Sequence, residues 1–492
     1  MYGPEKSDLP ILPMKPANKA GSSAAESVEG RGETKGNAVV QNTVRTQSRA
    51  AVSHAQRCVR EAVKRNKTEK LTALLHHVSV DVLRGGFLSL KKDASAGVDS
   101  ITWDDYVRDL EDNLQDLHRR VHSGAYRALP SRRVYIPKDD GKQRPLGIAA
   151  MEDKIVQAAV VMILTPVYEA EFLGFSYGFR PHRNQHDALD ALAYGIKGRN
   201  IWWILDADIQ RFFDTVSHSW LVKFLEHRIG DRRIIRLIQK WLSAGVLEQG
   251  SRLDTVEGTP QGSVASPFLA NVYLHYVHDV WVQAWRKRHA SGDTLIVRYA
   301  DDSVAGFQYH SEAVQFLQDL TKRLAKFGLK LHPEKTRLIE FGRFAIKRRA
   351  ERGLGKPETF NFLGFTHICM IMKDGWKFQL RRKTQRKRRW SLLHRIGQEM
   401  DRRRHEPVNV QGQWLKSVLR GHYSYYSVPT NIETVRNVRH HIKVRWYLSL
   451  ARRSQRTRLS WKRMNVVAAR YLPFPTVLHP WPEQRFLVKH PR

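Results

Sequence analysis

The chain has 492 residues, with 83 Lys and Arg against 48 Asp and Glu, a formal net charge of +35. That length allows two or three domains with ample cores, and so large a positive excess calls for a polyanionic partner rather than an ordinary enzyme surface. Two cysteines, Cys58 and Cys369, exclude a disulfide framework and a cysteine-based zinc finger; no run of 18 apolar residues offers a membrane span, and no signal or transit peptide is recognisable.

Residues 1–50 mix Pro, Gly, Ser, Ala and both charges with one aromatic, Tyr2, and are expected to be disordered. From about residue 51 the pattern becomes helical, through Leu71, Leu74, Leu75, Val78, Val82 and Leu83. Ala96-Gly97-Val98-Asp99 then turns into a helix near 104–122. Residues 131–148 read as a hairpin turning at Asp139-Asp140-Gly141, with Lys138, Lys142 and Arg144 on or beside the turn. Cations so placed can fold over a triphosphate, and an Arg offers a two-pronged donor to phosphate oxygens. A helix is expected over 151–170, followed by an aromatic turn, Phe175 to Arg180. Residues 201–208 form an apolar strand ending in Asp206 and Asp208, and Ile209, Phe212, Phe213 and Asp214 follow it.

Helices are expected over 217–229 and 231–243, then a glycine-containing hairpin carrying Gly258-Thr259-Pro260-Gln261-Gly262 into a further helix. Residues 294–307 read as strand, tight turn, strand, with Asp301 and Asp302 at the turn. Alone, an Asp-Asp turn fits ordinary backbone chemistry. Beside a second acidic strand end at Asp208 it fits two divalent cations, whose charge offsets the repulsion and desolvation of neighbouring carboxylates. Val314 to Phe327 recur at helical spacing up to a stop at Gly328. A loop and strand containing Lys335 come next. Residues 381–389 hold seven basic residues, Arg381, Arg382, Lys383, Arg386, Lys387, Arg388 and Arg389, and open a region of helices to about 470 in which Arg and His alternate with Trp and Tyr. Such a run suits either a solvated face or RNA backbone and unstacked bases. Leu472-Pro-Phe-Pro and His479-Pro-Trp-Pro read as an extended finish.

Four of these stretches, Asp208 to Asp214, Gly258 to Gly262, Tyr299-Ala300-Asp301-Asp302 and Phe362-Leu363-Gly364-Phe365, resemble in order and separation the motifs of bacterial group II intron reverse transcriptase/maturases, over roughly residues 60–480. The resemblance implies an α+β right-hand polymerase, with fingers and an antiparallel palm sheet followed by an α-helical thumb/maturase domain. Its parts would be a disordered 1–50, a helical N-terminal extension at 51–125, fingers and palm at 126–375, thumb/maturase at 376–470, and a short Pro-rich tail at 471–492 with no endonuclease domain.

It further implies catalytic Asp208, Asp301 and Asp302, with two Mg²⁺ held by Asp208, Asp301 and the Ile209 carbonyl, and Asp206 close by. Lys138, Arg144, Phe213 and Gln261 would meet the incoming dNTP, Phe213 as the gate against a 2′-hydroxyl and Gln261 at the template base or nucleotide. Lys335 would be the general acid. Arg180, for which plain packing is an equal reading, and the 381–389 cluster would meet nucleic acid. The implied function is RNA-directed DNA synthesis that copies a group II intron and aids its splicing and mobility. The implied partners are intron RNA, an RNA template with DNA primer or target DNA, and dNTPs, in a bacterial cytoplasm and associated with the nucleoid through nucleic acid. Two other readings stand beside it: a domesticated reverse transcriptase serving defence or repair, and a non-catalytic RNA-binding splicing factor.

Overall fold

The computed structural model describes residues 38–65, 69–137, 143–248, 251–253, 257–259, 261–372, 377–453 and 459–489. Its strands in chain order are β1 (Ser131–Pro137), β2 (Gln143–Ile148), β3 (Trp203–Asp208), β4 (Val246–Glu248), β5 (Ser251–Leu253), β6 (Thr294–Tyr299), β7 (Asp302–Phe307), β8 (Arg337–Glu340), β9 (Phe360–Phe362), β10 (Phe365–Ile371) and β11 (Phe378–Thr384). They form three sheets, ordered β2-β1-β4-β5, β6-β7-β3-β8 and β11-β10-β9, embedded in helices, an α+β arrangement.

The second sheet organises the molecule and is antiparallel throughout. Alternate residues of a strand point to opposite faces, so its apolar residues divide between two cores. Leu205, Ala207, Ile296, Ala305 and Phe307 join a large core that includes Phe316, Leu320 and Leu324 of the helix His310–Ala325. Ile204, Leu295, Val297, Val304 and Ile339 join a second core with Leu189, Leu192 and Ile196 of the helix Gln185–Gly198. Because both faces are covered, the strands are mostly apolar; Asp206 and Asp208 lie where β3 runs out and Asp302 where β7 begins, while Arg298 of β6 is a buried exception.

The large core also takes in the helices that precede β1, including Val82, Leu83 and Phe87 of Val80–Ser89 and Leu114 and Leu117 of Leu110–Ser123. A third, separate core joins the helices Arg386–Arg402, Val408–Tyr426, Ile432–Ala451 and Trp461–Tyr471 around Leu393, Leu415, Val438, Ile442 and Trp446. Trp446 is fully buried, and its indole N–H donates to Gln411 Oε1 at 2.8 Å, which satisfies its one polar atom. Among the described residues no helix is long and apolar enough to cross a membrane.

Several sequence expectations need correction. The disorder expected through residue 50 gives way to a helix, Ala38–Arg65, from residue 38 onward; residues 1–37 lie outside the described residues. Gly258, Thr259, Gln261 and Gly262 lie outside any strand rather than in a hairpin, the short β4–β5 pair coming before them, and Pro260 lies outside the described residues. The basic run opens with a strand before the helices: residues 381–384 belong to β11 and pair with β10, and the helix begins at Arg386. The tail ends in a helix, Pro482–Lys489, because Pro at a first helical position loses no hydrogen bond and Glu483 complements the helix dipole.

Candidate active site

β3 pairs with β7 so that Asp208 lies directly opposite Asp302 and Asp206 opposite Val304. Directly paired residues project to the same side of a sheet, so Asp206, Asp208 and Asp302 share one face. Asp301 sits in the two-residue turn that joins β6 to β7, where Ala300 takes a left-handed φ of 56°. The electrostatics record the crowding. Burial pushes the Asp302 carboxyl up to about 7, helped by the charges of Asp301, Asp208 and Asp206, although the residue opens onto the cleft. Burial also raises Asp206 to about 7 against the pull of Arg337, with Asp208 adding to the rise. Asp301 is raised by burial and by Asp208, and drawn back by its own backbone N–H, Arg144 and Arg298.

Lys335 supplies one compensating charge: its Nζ reaches Asp208 Oδ2 at 2.5 Å. The loop that carries it is tied to the end of β3, since the Gln210 N–H donates to the Lys330 carbonyl and the His332 N–H to the Asp208 carbonyl, both at 2.8 Å. The acidic face opens into a cleft of about 960 Å³ lined by Asp206, Asp208, Asp302, Lys335, Arg337 and Arg388, among others.

Among the described residues no three His, Cys, Asp or Glu side chains close into a ready-made metal cage. A cation such as Mg²⁺ is commonly held by one or two carboxylates, with waters and substrate phosphates completing its shell. Undercompensated carboxylates in a cleft whose lining also carries Glu334, against Lys335, Arg337 and Arg388, fit that incomplete donor set.

The residues after β3 build the neighbouring wall. Arg211 takes a left-handed φ of 48° and opens a short helix, Phe212–Thr215. Phe212 is buried and Phe213 half-buried against the same core, their rings edge to face at 5.4 Å, which anchors the segment. The glycine loop packs directly on this backbone: the Thr259 N–H donates to the Phe213 carbonyl at 2.7 Å, and a Cβ on Gly258 would stand 3.0 Å from the Phe213 and Asp214 carbonyl oxygens. At the loop's other end the Gly147 N–H donates to the Gln261 carbonyl at 2.7 Å. Gln261 and Phe213 are thereby fixed to β2, the strand that carries exposed Arg144.

Comparison with known proteins identifies the arrangement. The family model described as reverse transcriptase (RNA-dependent DNA polymerase) matches residues 136–367. Protein YkfC of Escherichia coli K12 is 33% identical over 306 residues, 54% of this chain and 80% of that protein. The chain belongs to the reverse transcriptase family. The group II intron-encoded protein LtrA of Lactococcus lactis is 40% identical over 166 residues, 34% of this chain and 27% of LtrA. The putative COX1/OXI3 intron 1 protein of Saccharomyces cerevisiae is 30% identical over 271 residues, 45% of this chain and 32% of that protein. The chain thus spans about a quarter to a third of the length of these two relatives.

Not every expected site residue of this reverse transcriptase faces the cleft. Arg180 is buried, its side chain only 3% exposed. Its Nε donates to Glu169 Oε1 at 2.9 Å and its Nη1 to the carbonyls of Leu173 and Ser176 at 2.8 Å, so its donors brace a loop and cannot reach a template. Arg382 is likewise buried, donating to Asp190 Oδ1 at 3.0 Å, so it too is a packing residue. Arg381 reaches Glu433 at 2.8 Å, and Lys383 is half-buried on β11. Arg386, Lys387 and Arg388 are exposed on the first turn of their helix, with Arg389 half-buried beside them, and Arg388 lines the cleft. Lys138 lies outside the described residues.

Sequence reasoning missed Gln157. Its Oε1 accepts from Ser263 Oγ at 2.8 Å and the Val264 N–H at 3.1 Å, which fixes the entry to the helix Ser266–Leu274. It also missed the buried polar group beneath the Asp301 turn. No local pattern marks such residues, because Gln157 meets Ser263 106 positions on and Arg298 meets Asp279, Asn271 and Ser176 19, 27 and 122 positions away.

Proposed function

We propose that the chain is an RNA-directed DNA polymerase of the group II intron type, which copies intron RNA into DNA and, by binding that RNA, assists splicing and mobility. The observation that carries the reading is the pairing of Asp208 with Asp302 on one face of an antiparallel sheet, with the Asp301 turn at its end and an open cleft in front that also holds Lys335, Arg337 and Arg388. The family match supports the chemistry, and the resemblance to LtrA, whose name is that of a group II intron-encoded protein, supports the intron context.

In this reading the molecule is a right-handed polymerase, with an N-terminal extension at 51–125, fingers and palm at 126–375 and a helical thumb/maturase region at 376–470. The separate core around Trp446 supports the last division. Asp208 and Asp301, with the Ile209 carbonyl, would hold two Mg²⁺; when bound, the ions lower the pKa of the primer 3′-hydroxyl and neutralise the departing pyrophosphate. Asp302, across from Asp208, contributes to the negative field that attracts them. Arg144 grips the nucleotide phosphates, and its charge is already felt at Asp301.

Phe213 closes the pocket against a ribose 2′-hydroxyl, and Gln261 meets the template base or nucleotide. Lys335, largely exposed and able to swing from Asp208, protonates the pyrophosphate. Arg386, Lys387, Arg388 and Arg389 hold the backbone of template and primer, so binding falls steeply with salt. Incubating the full chain with an annealed RNA template and DNA primer tests the proposal: dNTP-dependent extension that stops on chelation is expected, and its absence with well-bound primer-template would refute it.

A further inference from the structure

We propose that Arg298, with Asp279, Asn271 and Ser176, is a positioning group that sets the Ala300-Asp301 turn and so fixes where the Asp301 carboxylate is presented. The inference rests on the polymerase reading above and adds residues that this reading does not use.

Arg298 is among the largest fully buried side chains. Its guanidinium is saturated: Nε and Nη2 donate to the two oxygens of Asp279 at 2.7 and 2.5 Å, Nη2 also to Ser176 Oγ at 2.7 Å, and Nη1 to Asn271 Oδ1 at 3.2 Å. The remaining bond, Nη1 to the Ala300 carbonyl at 2.8 Å, grips the turn. Ala300 is the residue forced into left-handed φ, a conformation that costs a non-glycine residue energy and persists only where its surroundings hold it.

The same group controls the other side of the turn. Asn271 Nδ2 donates to the Gly178 carbonyl at 2.6 Å, and Gly178 lies so close to Ala300 that a Cβ there would collide with the Ala300 amide nitrogen. Ser176 makes a single parallel bridge to β6 at Arg298, the Arg298 N–H donating to the Phe175 carbonyl and the Tyr177 N–H to the Arg298 carbonyl, each at 2.9 Å. Asp279 is aimed by an unusual device: the helical stretch Ser266–His289 passes through one π-helical turn, His275–Asp279. Such a turn inserts a residue and rotates the remainder of the helix about its axis. A buried ion pair alone is poor evidence of stabilisation. One whose spare donor is spent on the carbonyl next to the acidic residue has a second use.

The test compares the parent with Arg298→Lys and, because that change can unfold the core, with the milder Ser176→Ala. Three readouts apply: thermal midpoint, hydrogen exchange of the peptide spanning residues 296–304, and extension kinetics against Mg²⁺. In folded protein, we expect faster exchange at the turn and a rise of about tenfold in half-saturating Mg²⁺ for Arg298→Lys, smaller for Ser176→Ala, with dNTP KM little changed. Folded variants with parental exchange at the turn and parental Mg²⁺ dependence would overturn the proposal. If the parent itself does not extend primers, the polymerase reading fails, while the exchange measurement still decides whether Arg298 sets the turn.

Discussion

Asp190 offers the sharpest test of how the sheet β9–β11 and the tail are held to the rest of the molecule. It lies on the helix Gln185–Gly198, its side chain 2% exposed, and each of its oxygens takes a different arginine: Oδ1 accepts from Arg382 of β11 at 3.0 Å, and Oδ2 from Arg485 of the terminal helix. Asp190→Ala would leave two cations facing a hole, and removing one partner of a buried pair costs about 3–5 kcal/mol. Arg382→Ala should cost less, since Asp190 keeps Arg485. Arg485→Ala should cost least, because that side chain is 16% exposed and water takes over part of its role. Urea denaturation followed by tryptophan fluorescence would give the order Asp190 above Arg382 above Arg485. A buried pair is poorly screened, so the order and size should persist at about 1 M salt, where the Debye length falls to about 3 Å. A loss under about 1 kcal/mol for Asp190→Ala, or one that vanishes in salt, would refute the reasoning.

Other consequences are equally direct. Burial holds the His367 imidazole down at about 3, against an ordinary 6.5. The unfolded chain therefore binds a proton that the folded chain refuses, and stability falls as pH drops below 6.5, by about 1.4 kcal/mol per unit for this ring. His367→Phe, which keeps the stacking on Phe360, should gain stability relative to the parent by that slope between pH 6.5 and 4.5; a pH-independent difference would contradict the assignment. Phe213→Ala should lower discrimination against ribonucleotides by about tenfold or more in single-nucleotide incorporation while leaving dNTP use largely intact. Arg388→Ala should weaken primer-template binding and reduce the salt slope by about one, whereas Arg180→Ala should lower the melting temperature instead, which filter binding and thermal scans separate.

How far the sequence could be read varies from site to site. The β6–turn–β7 unit and the strand ending at Asp208 were legible because apolar runs of β-formers stop abruptly at carboxylates, and the structure brings Asp208 and Asp302 into direct register. The helices Met151–Glu169, His218–Arg228 and Arg232–Ser243 begin and end within a residue of the expected bounds, although the first is buried on nearly all sides rather than along one apolar face. For Arg180 the sequence left packing and template contact equal, and for Arg382 it pointed to nucleic acid, because a basic residue beside a motif looks the same whether it faces phosphate or a buried acid. Glu169 and Asp190, the acids that claim them, lie 11 and 192 positions away. The helix from Ala38 was hidden by a segment poor in large apolar residues, and the bonds by which Arg298 and Asn271 hold the turn depend on tertiary placement that no spacing encodes.

At the centre of the molecule, β3 and the β6–β7 turn bring Asp208, Asp301 and Asp302 together, and the proposed polymerase chemistry rests on their acting on one reaction. The direct measurement is Mg²⁺-dependent extension of a DNA primer on an RNA template by the parent and by Asp301→Ala, with RNA affinity measured on the same preparations. Extension should disappear in the variant while RNA binding stays at the parental level. Extension by Asp301→Ala at the parental rate would contradict the assignment of this cleft as the polymerase centre.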